Sequence, residues 1–339
     1  MRAAVCPSYG PPEVVRVQEC PVPTPASGQV RVRVDTAAVN YPDVLLIADK
    51  YQISVPPPFI PGSEFAGVID EISESGSDFG VGDRVSGTGL YGAFAEEVAV
   101  PADSLSRIPT GIDLRTAAAF GVAYRTAYHT LRSVARVQAG DELVVLGAGG
   151  GVGLAAVQLA VQLGAAVTAV ASSDEKLAVA HSYGARHLVN HRSGDIRAAL
   201  RRTIPGGADA VIDPVGGDLS EPALRALRRG GRFVTVGYAS GVIPRIPLNL
   251  VLVKGVQVLG FGFQDVAPAE FTRNEAELRE LLATGRVAPH IGATFPLAET
   301  ARALRHVADG KAIGKVLVDV AGASSRAELA GGGQIGSHR

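Results

Sequence analysis

The sequence predicts an α/β protein in two parts, a doubly wound parallel sheet and a smaller β-barrel-like domain. Three observations carry this. Residues 143–159, LVVLGAGGGVGLAAVQL, read as a buried strand, a glycine turn and a helix start. From about Thr116 onward, short apolar strands alternate with helix-length segments, the pattern of a parallel sheet with crossover helices. Before that point, short β-branched runs are punctuated by Pro, Gly, Asp and Ser. The 339-residue length is also more than one ordinary domain needs.

In chain order, strands are expected at 14–17, 30–34, 67–72, 84–85 and 95–100. Residues 116–134 read as helix with a kink-prone glycine at Gly121. The alternating part then predicts strands at 143–146, 167–171, 187–189, 210–212, 232–236 and 257–261. Helices are expected between them at 154–162, 174–183, 194–203 and 218–227. Gly164 and Gly184 follow the first two of these helices, as C-terminal caps do. A charged helix (268–284), another helix (297–308) and a last apolar strand (316–320) complete the pattern. The tail, 321–339, is Ala, Gly and Ser without periodicity and is expected to be disordered. The domain organisation that follows is a substrate domain of residues 1–120 and 265–320 around a nucleotide domain of 121–264.

The glycine turn carries the chemistry. Glycines tolerate positive φ and let a ligand approach the backbone. The first turn of the following helix offers N–H groups without intrahelical acceptors, which with the helix dipole favour a phosphate. A strand before the turn, a helix after it and a second strand about one helix later are the context of a dinucleotide fingerprint. A strict G-x-G-x-x-G fails in this stretch. The register that keeps the last two glycines is Ala148-x-Gly150-x-x-Gly153. Gly150 then lets the backbone approach a pyrophosphate and Gly153 lets helix and strand pack closely. Gly149, Gly151 and Val152 complete the expected phosphate-facing turn.

Composition narrows the partners. A net charge of −1, with 47% hydrophobic and 19% charged residues, provides cores but no electrostatic footprint for nucleic acid or an anionic membrane. No apolar run approaches the ~18 residues of a spanning helix, and no secretory signal is expected. Two cysteines, Cys6 and Cys20, cannot make a multi-bridge framework. Free thiols suit a reducing compartment, so a cytoplasmic protein is expected.

The motifs YGPPEVVRV (9–17), AAVNYPDVLL (37–46), PFIPGSEFAGVI (58–69), GDRV (82–85), GVAYRTAYHTL (121–131), GAGGGVGLAAVQLA (147–160) and GKVLVDV (314–320) together resemble the medium-chain dehydrogenase/reductase superfamily. Within it they resemble the zinc-independent NADPH:quinone oxidoreductase branch, the zeta-crystallin type. The resemblance covers residues 1 to about 320. It implies a GroES-like substrate domain, a Rossmann domain, a cleft between them, and a dimer or tetramer. The first fingerprint glycine is commonly Ala in this branch, which accounts for Ala148.

The resemblance also bears on metal. Zinc-dependent relatives have a Cys where this chain has Asn40 and a His where it has Ser63, and the four-cysteine loop of their structural zinc has no counterpart. A catalytic zinc needs about three N, S or carboxylate ligands. Glu64 alone remains, so no metal is expected. For the cofactor, an NAD enzyme places an acid at the end of the second strand to hold the ribose 2′-OH. That position is Ala171, followed by Ser172, Ser173 and Lys176, which suit a 2′-phosphate. Relatives also reach this phosphate from near the third strand, where this chain has His191 with Arg192 beside it. NADP(H) is therefore the expected cofactor. By resemblance alone, Asn40 and Thr126 lie near the nicotinamide, and two loops contact the cofactor: Gly237, Tyr238 and Ala239, and Phe261, Gly262 and Phe263.

Hydride transfer is the cofactor's chemistry, while the protein supplies orientation and polarity. Reduction of a quinone or enone builds negative charge on a carbonyl oxygen, where a hydrogen-bond donor helps. Asn40, Tyr41, Asp43 and Tyr51 lie on the stretch that the resemblance places beside the nicotinamide, and Tyr51 is the foremost donor candidate. The expected activity is NADPH-dependent reduction of quinones or related α,β-unsaturated carbonyls. Two alternatives stay open: a 2-enoyl thioester reductase with Tyr51 as proton donor, and a non-catalytic NADPH-binding protein. The apolar run 256–263 at the edge of the sheet is expected to pair two chains into a homodimer.

Overall fold

The computed structural model describes residues 1–73 and 78–321. The expected disordered tail lies, from residue 322 on, outside the described residues. The chain divides into two compact units, Met1–Val122 with Ile291–Arg339, and Ala123–His290. No described helix is long and apolar enough to cross a membrane.

The first unit is built on the strand Gln29–Val39. Its first half alternates, with Val30, Val32 and Val34 buried between Arg31 and an exposed Arg33. Its second half, Asp35 to Val39, is buried throughout. That change follows from its neighbours. The strand pairs with Glu64–Ile72 along most of its length, with Glu97–Pro101 beside its first half and with Lys315–Asp319 beside its second. The sheet extends through Arg84–Thr88 and Leu105–Arg107 on one side and Ile291–Pro296 on the other.

Leu105–Arg107 and Arg2–Val5, the latter paired with Arg16–Glu19 in a separate two-stranded sheet, are too short for the sequence reading to find, and Ile291–Pro296 escapes it although its residues alternate between half-buried and exposed. The expected strand at 14–17 begins only at Arg16, because Pro12 starts a 3₁₀ turn through Val14. A short helix, Tyr41–Ile47, follows Asn40 directly, with a proline in its first turn where the missing N–H costs nothing.

The second unit holds a six-stranded, all-parallel sheet. Its order is His187–Asn190, Ala166–Ala171, Glu142–Leu146, Ala208–Asp213, Leu227–Thr235 and Gln257–Gly260. The four-residue core of the first strand read from the sequence, Leu143 to Leu146, is at most 1% exposed, as a strand covered on both faces must be. Helices Gly151–Gln162 and Asp174–Ser182 end before Gly164 and Gly184, whose φ values are +82° and +98°. The strand order reverses between Glu142–Leu146 and Ala208–Asp213. In open α/β sheets, ligands bind beyond the carboxyl ends of the strands at such a switch point.

Two boundaries differ from the sequence reading. The helical segment at 116–134 is interrupted: Leu114–Ala118 ends before Gly121–His129 begins, and a π-helical turn follows at Thr130–Val134. The return to the first unit comes at Ile291 rather than 265. Helix Pro268–Ala283 stays with the second unit because Glu275 and Glu277 are bonded to His129, Arg125, Tyr128 and Arg132.

Candidate active site

In the second unit, the fingerprint turn leaves the strand at Gly147 with φ +60°. Ala148 donates its N–H to Val170 O at 3.0 Å and is fully buried, so a side chain fits the first fingerprint place because it points into the core. At Gly153 none fits. A Cβ there would stand 2.1 Å from Gly147 O, so helix and strand touch through backbone. A Cβ at Gly150, the N-cap, would approach nothing nearer than Gly147 O at 3.5 Å. Gly150 thus leaves open space, while the helix from Gly151, with Val152 in its first turn, presents its N-terminus. This is a cradle that fits a pyrophosphate.

The positive charge gathers next to it. Lys176 runs back across the turn, its Nζ 3.5 Å from Ser172 Oγ. Arg192 and Lys176 are both near enough to His191 to lower its pKa, after burial, which contributes most. Lys176 is pulled down likewise by burial and then by Arg192. Three basic side chains and a serine hydroxyl therefore converge at the ends of the second and third strands. The second strand ends in Ala171, which has no carboxylate to repel a phosphate. Ser173 plays a local part: it caps Asp174–Ser182, its hydroxyl accepting from Lys176 N at 3.4 Å. Asp174 is turned to Asn190 at 2.8 Å. The donor set fits the 2′-phosphate of NADP(H).

The two resemblance loops are held by residues that the sequence reading passes over. Asp213 is fully buried at the carboxyl end of its strand. Its Oδ1 accepts from Val215 N and Gly216 N, both at 2.8 Å, and its Oδ2 from Ser220 Oγ at 2.5 Å. The turn so fixed packs Val215 against Gly147 and Gly216 against the Tyr238 ring. Gly237 and Ala239 donate to Asp213 O and Pro214 O, so the 237–239 loop rests on that turn.

Phe261 and Phe263 meet edge to face at 4.9 Å across Gly262. Behind Phe263 lies the buried His129, stacked on Phe271 at 4.7 Å. Asn274 Nδ2 donates to its Nδ1, which leaves Nε2–H to donate to Glu275 at 2.9 Å. His129 is thus a support for Phe263. Thr126, one turn earlier, is half-buried, and its carbonyl accepts from Thr130 Oγ1. Asp213 lies outside the quoted motifs and nothing in the motif 121–131 marks the part His129 plays, so the fold is what reveals them.

In the first unit, the stretch 40–51 separates into two kinds of residue. Tyr41 and Tyr51 are half-buried, with Tyr51 packed against the edge of the core. Among the described residues, no hydrogen bond engages the Tyr51 hydroxyl. Burial raises the Tyr41 pKa. Asn40 and Asp43 turn inward, at 8% and 1% exposure. The Asn40 amide is fully used. Its Oδ1 accepts from Lys315 Nζ at 2.5 Å, and its Nδ2 donates to Glu64 Oε2 at 3.1 Å and Ser63 Oγ at 3.3 Å. Asp43 Oδ2 accepts from Asn40 N at 2.7 Å, closing the helix start. Burial pushes the Asp43 carboxyl up to about 7, and its bond to Asn40, the Ser63 hydroxyl and Lys315 pull it back only in part. Its Oδ1 is buried without a hydrogen bond of good geometry. The side-chain polar atoms of Asn40 and Asp43 are therefore turned into the interior of the first unit.

The same geometry bears on the metal question. Lys315 Nζ stands 2.9 Å from Glu64 Oε2, and Glu64 Oε1 accepts from Val122 N at 2.7 Å. Asn40 Oδ1 and Glu64 Oε2 are thus already bound to an ammonium, and Ser63 Oγ accepts from the Asn40 amide. An amide, a hydroxyl and one occupied carboxylate are a poor zinc set. Among the described residues, no group of three or more His, Cys, Asp or Glu side chains could hold a metal ion.

Comparison with known proteins agrees with this architecture. Residues 26–110 match a family described as the alcohol dehydrogenase GroES-like domain, and residues 151–281 one described as zinc-binding dehydrogenase. The chain is 38% identical over 326 residues to the quinone oxidoreductase-like protein 2 of Bos taurus, covering 94% of this chain and 92% of that protein. It is 30% identical to the quinone oxidoreductase of Homo sapiens, covering 94% and 97%. Among solved structures, the Escherichia coli quinone oxidoreductase complexed with NADPH superimposes with a TM-score of 0.87 at 26% identity, covering 94% of this chain and all of that one.

Proposed function

Because the chain belongs to the quinone oxidoreductase branch of the medium-chain dehydrogenase/reductase superfamily, an enzyme family that binds NADP(H), we propose that it reduces quinones or related α,β-unsaturated carbonyls without a metal ion. The observation that carries this reading is the Lys315 ammonium among Asn40 and Glu64. Oxidation of a simple alcohol needs a Lewis acid or a general base to form the alkoxide. A quinone is electron-poor and accepts hydride without one.

Bound NADPH supplies the hydride, and the product takes up one proton. The cradle from Gly149 to Gly153 would hold the pyrophosphate, with Ser172, Lys176, His191 and Arg192 on the 2′-phosphate. The loops at 237–239 and 261–263 would contact the cofactor, and Thr126 would lie near its reactive end. Tyr41 and Tyr51 would line the acceptor's place, and the Tyr51 hydroxyl would donate a hydrogen bond to the carbonyl oxygen as charge builds there. Asn40 and Asp43 would hold that stretch in position.

The test is NADPH consumption with a panel of quinones, enones, enoyl thioesters and, in reverse, simple alcohols with NADP⁺. Turnover of quinones or enones is expected. Turnover of thioesters alone would replace the reading with the enoyl thioester reductase, which the unengaged Tyr51 hydroxyl also suits. Metal-dependent alcohol oxidation would sink both.

We further propose a homodimer through the edge of the parallel sheet. Among the described residues, strand Gln257–Gly260 has a neighbour on one side only. The preceding helix, Leu248–Lys254, exposes Leu248, Leu252 and Val253, at 78%, 81% and 68%. An apolar edge beside an apolar helix face favours pairing with a second copy.

A further inference from the structure

Lys315 is a buried cation that no sequence motif singles out as functional. It opens the last strand, whose register sets Val316 opposite Val39 and so brings Lys315 beside Asn40, 275 residues earlier in the chain. Glu64 reaches the same point from the neighbouring strand. Lys315 is 3% exposed and Glu64 1%. A buried ion pair of this kind adds little net stability, since desolvation offsets most of the attraction, and an apolar pair of the same volume would pack as well or better. Its effect here is directional. The ammonium can only donate, so Asn40 must present Oδ1 to it and Nδ2 to Glu64 and Ser63; the opposite amide orientation would set NH₂ against NH₃⁺. The backbone of the fixed Asn40 then accepts from Asp43 N at 3.1 Å and donates to Asp43 Oδ2 at 2.7 Å. Tyr41 follows Asn40 immediately.

We infer that Lys315 is a positioning residue: its ammonium stands where a metal ion would bind, fixes Asn40 and Glu64, and through Asn40 sets the turn that carries Tyr41 and leads to Tyr51. This rests on the reading that the stretch 40–51 faces the acceptor. Lys315 acts through Asn40 and touches neither cofactor nor acceptor.

The test removes both charges together, since Lys315→Met alone leaves the Glu64 carboxylate buried and unpaired. In the Lys315→Met/Glu64→Gln variant, thermal stability and NADPH affinity should stay close to wild type. With the acceptor that the wild type reduces fastest in the panel, kcat should fall about 30-fold to 100-fold, the scale of an ångström-level misplacement, with KM changing less. Hydrogen exchange of the segment 38–47 should quicken at equal melting temperature, a readout that needs no acceptor. Asn40→Leu, which keeps the ion pair, should show the same kcat loss and the same faster exchange. Wild-type kcat and unchanged exchange in either variant would overturn the inference. Failure of the wild type to reduce quinones would instead overturn the functional reading and leave the exchange result to decide this one.

Discussion

The aliphatic stem of Lys176 lies directly over Gly149. A Cβ at Gly149 would stand 2.6 Å from both Lys176 Cβ and Cγ and 2.8 Å from Cδ. The fingerprint turn and the basic cluster of Lys176, His191 and Arg192 are thereby one packed unit, and the glycine at 149 is required by a side chain, whereas the glycine at 153 is required by backbone.

That difference predicts distinct phenotypes. Lys176→Ala should weaken NADPH about 10-fold to 100-fold, the range of a lost charge-assisted hydrogen bond, and NADH far less. Gly149→Ala meets Lys176 at Cβ and Cγ, the root of the side chain, so the start of helix Asp174–Ser182 must shift; it should weaken NADPH more than NADH and also lower the melting temperature. Gly153→Ala has only Gly147 backbone to push against, so it should lower the melting temperature and weaken both cofactors. Calorimetric titration with NADPH and NADH checks all three, and equal losses for both cofactors in Lys176→Ala would refute the cluster's role.

Asp43 predicts a pH dependence of stability. Its folded pKa of about 7 stands above the ordinary 3.8, so the native state keeps this proton longer than the unfolded chain. The group therefore favours folding at low pH and loses that contribution as pH rises from about 4 to about 7, by at most about 4 kcal/mol. Asp43→Asn has no such loss. Its melting temperature relative to wild type should rise between pH 5 and pH 8; a constant difference across that range would show that Asp43 is ionised throughout.

Tyr51→Phe separates two chemistries. A small quinone needs little help from one proton donor, so its turnover should fall less than about tenfold, below the range of general acid catalysis. An enoyl thioester must finally take a proton at carbon, and its turnover should fall ~100-fold or more. A hundredfold loss on a quinone would contradict the site as described.

The occupied Glu64 predicts metal independence. Purified protein should contain no stoichiometric zinc, and a chelator should leave the rate unchanged. Elemental analysis near one zinc per chain would require the Lys315 ammonium to move away from Asn40 and Glu64.

The exposed helix face predicts assembly. Leu252 and Val258, at 81% and 45% exposure, can take charges without disturbing a core. Leu252→Asp with Val258→Lys should turn a dimer into a monomer at micromolar concentration by light scattering. A monomeric wild type would refute the interface.

The sequence by itself determined whatever depends on local spacing. The run from Leu143 to Gln162 announces strand, turn and helix, because a buried parallel strand must be apolar and a close helix–strand contact must be glycine. The absence of an acid at Ala171, followed by Ser172 and Lys176, was legible for the same reason: strand, turn and helix start are consecutive in the chain. Tertiary structure alone decided which polar groups face inward. Asn40 and Asp43 share a stretch with Tyr41 and Tyr51, yet two of the four are spent inside, Asn40 on Lys315, which arrives from 275 residues away on a paired strand, and Asp43 on the Asn40 backbone. Asp213 behind the 237–239 loop and His129 behind Phe263 were hidden likewise. Their partners come from other elements, and a hydrogen bond that joins distant segments leaves no period or spacing in the sequence to read.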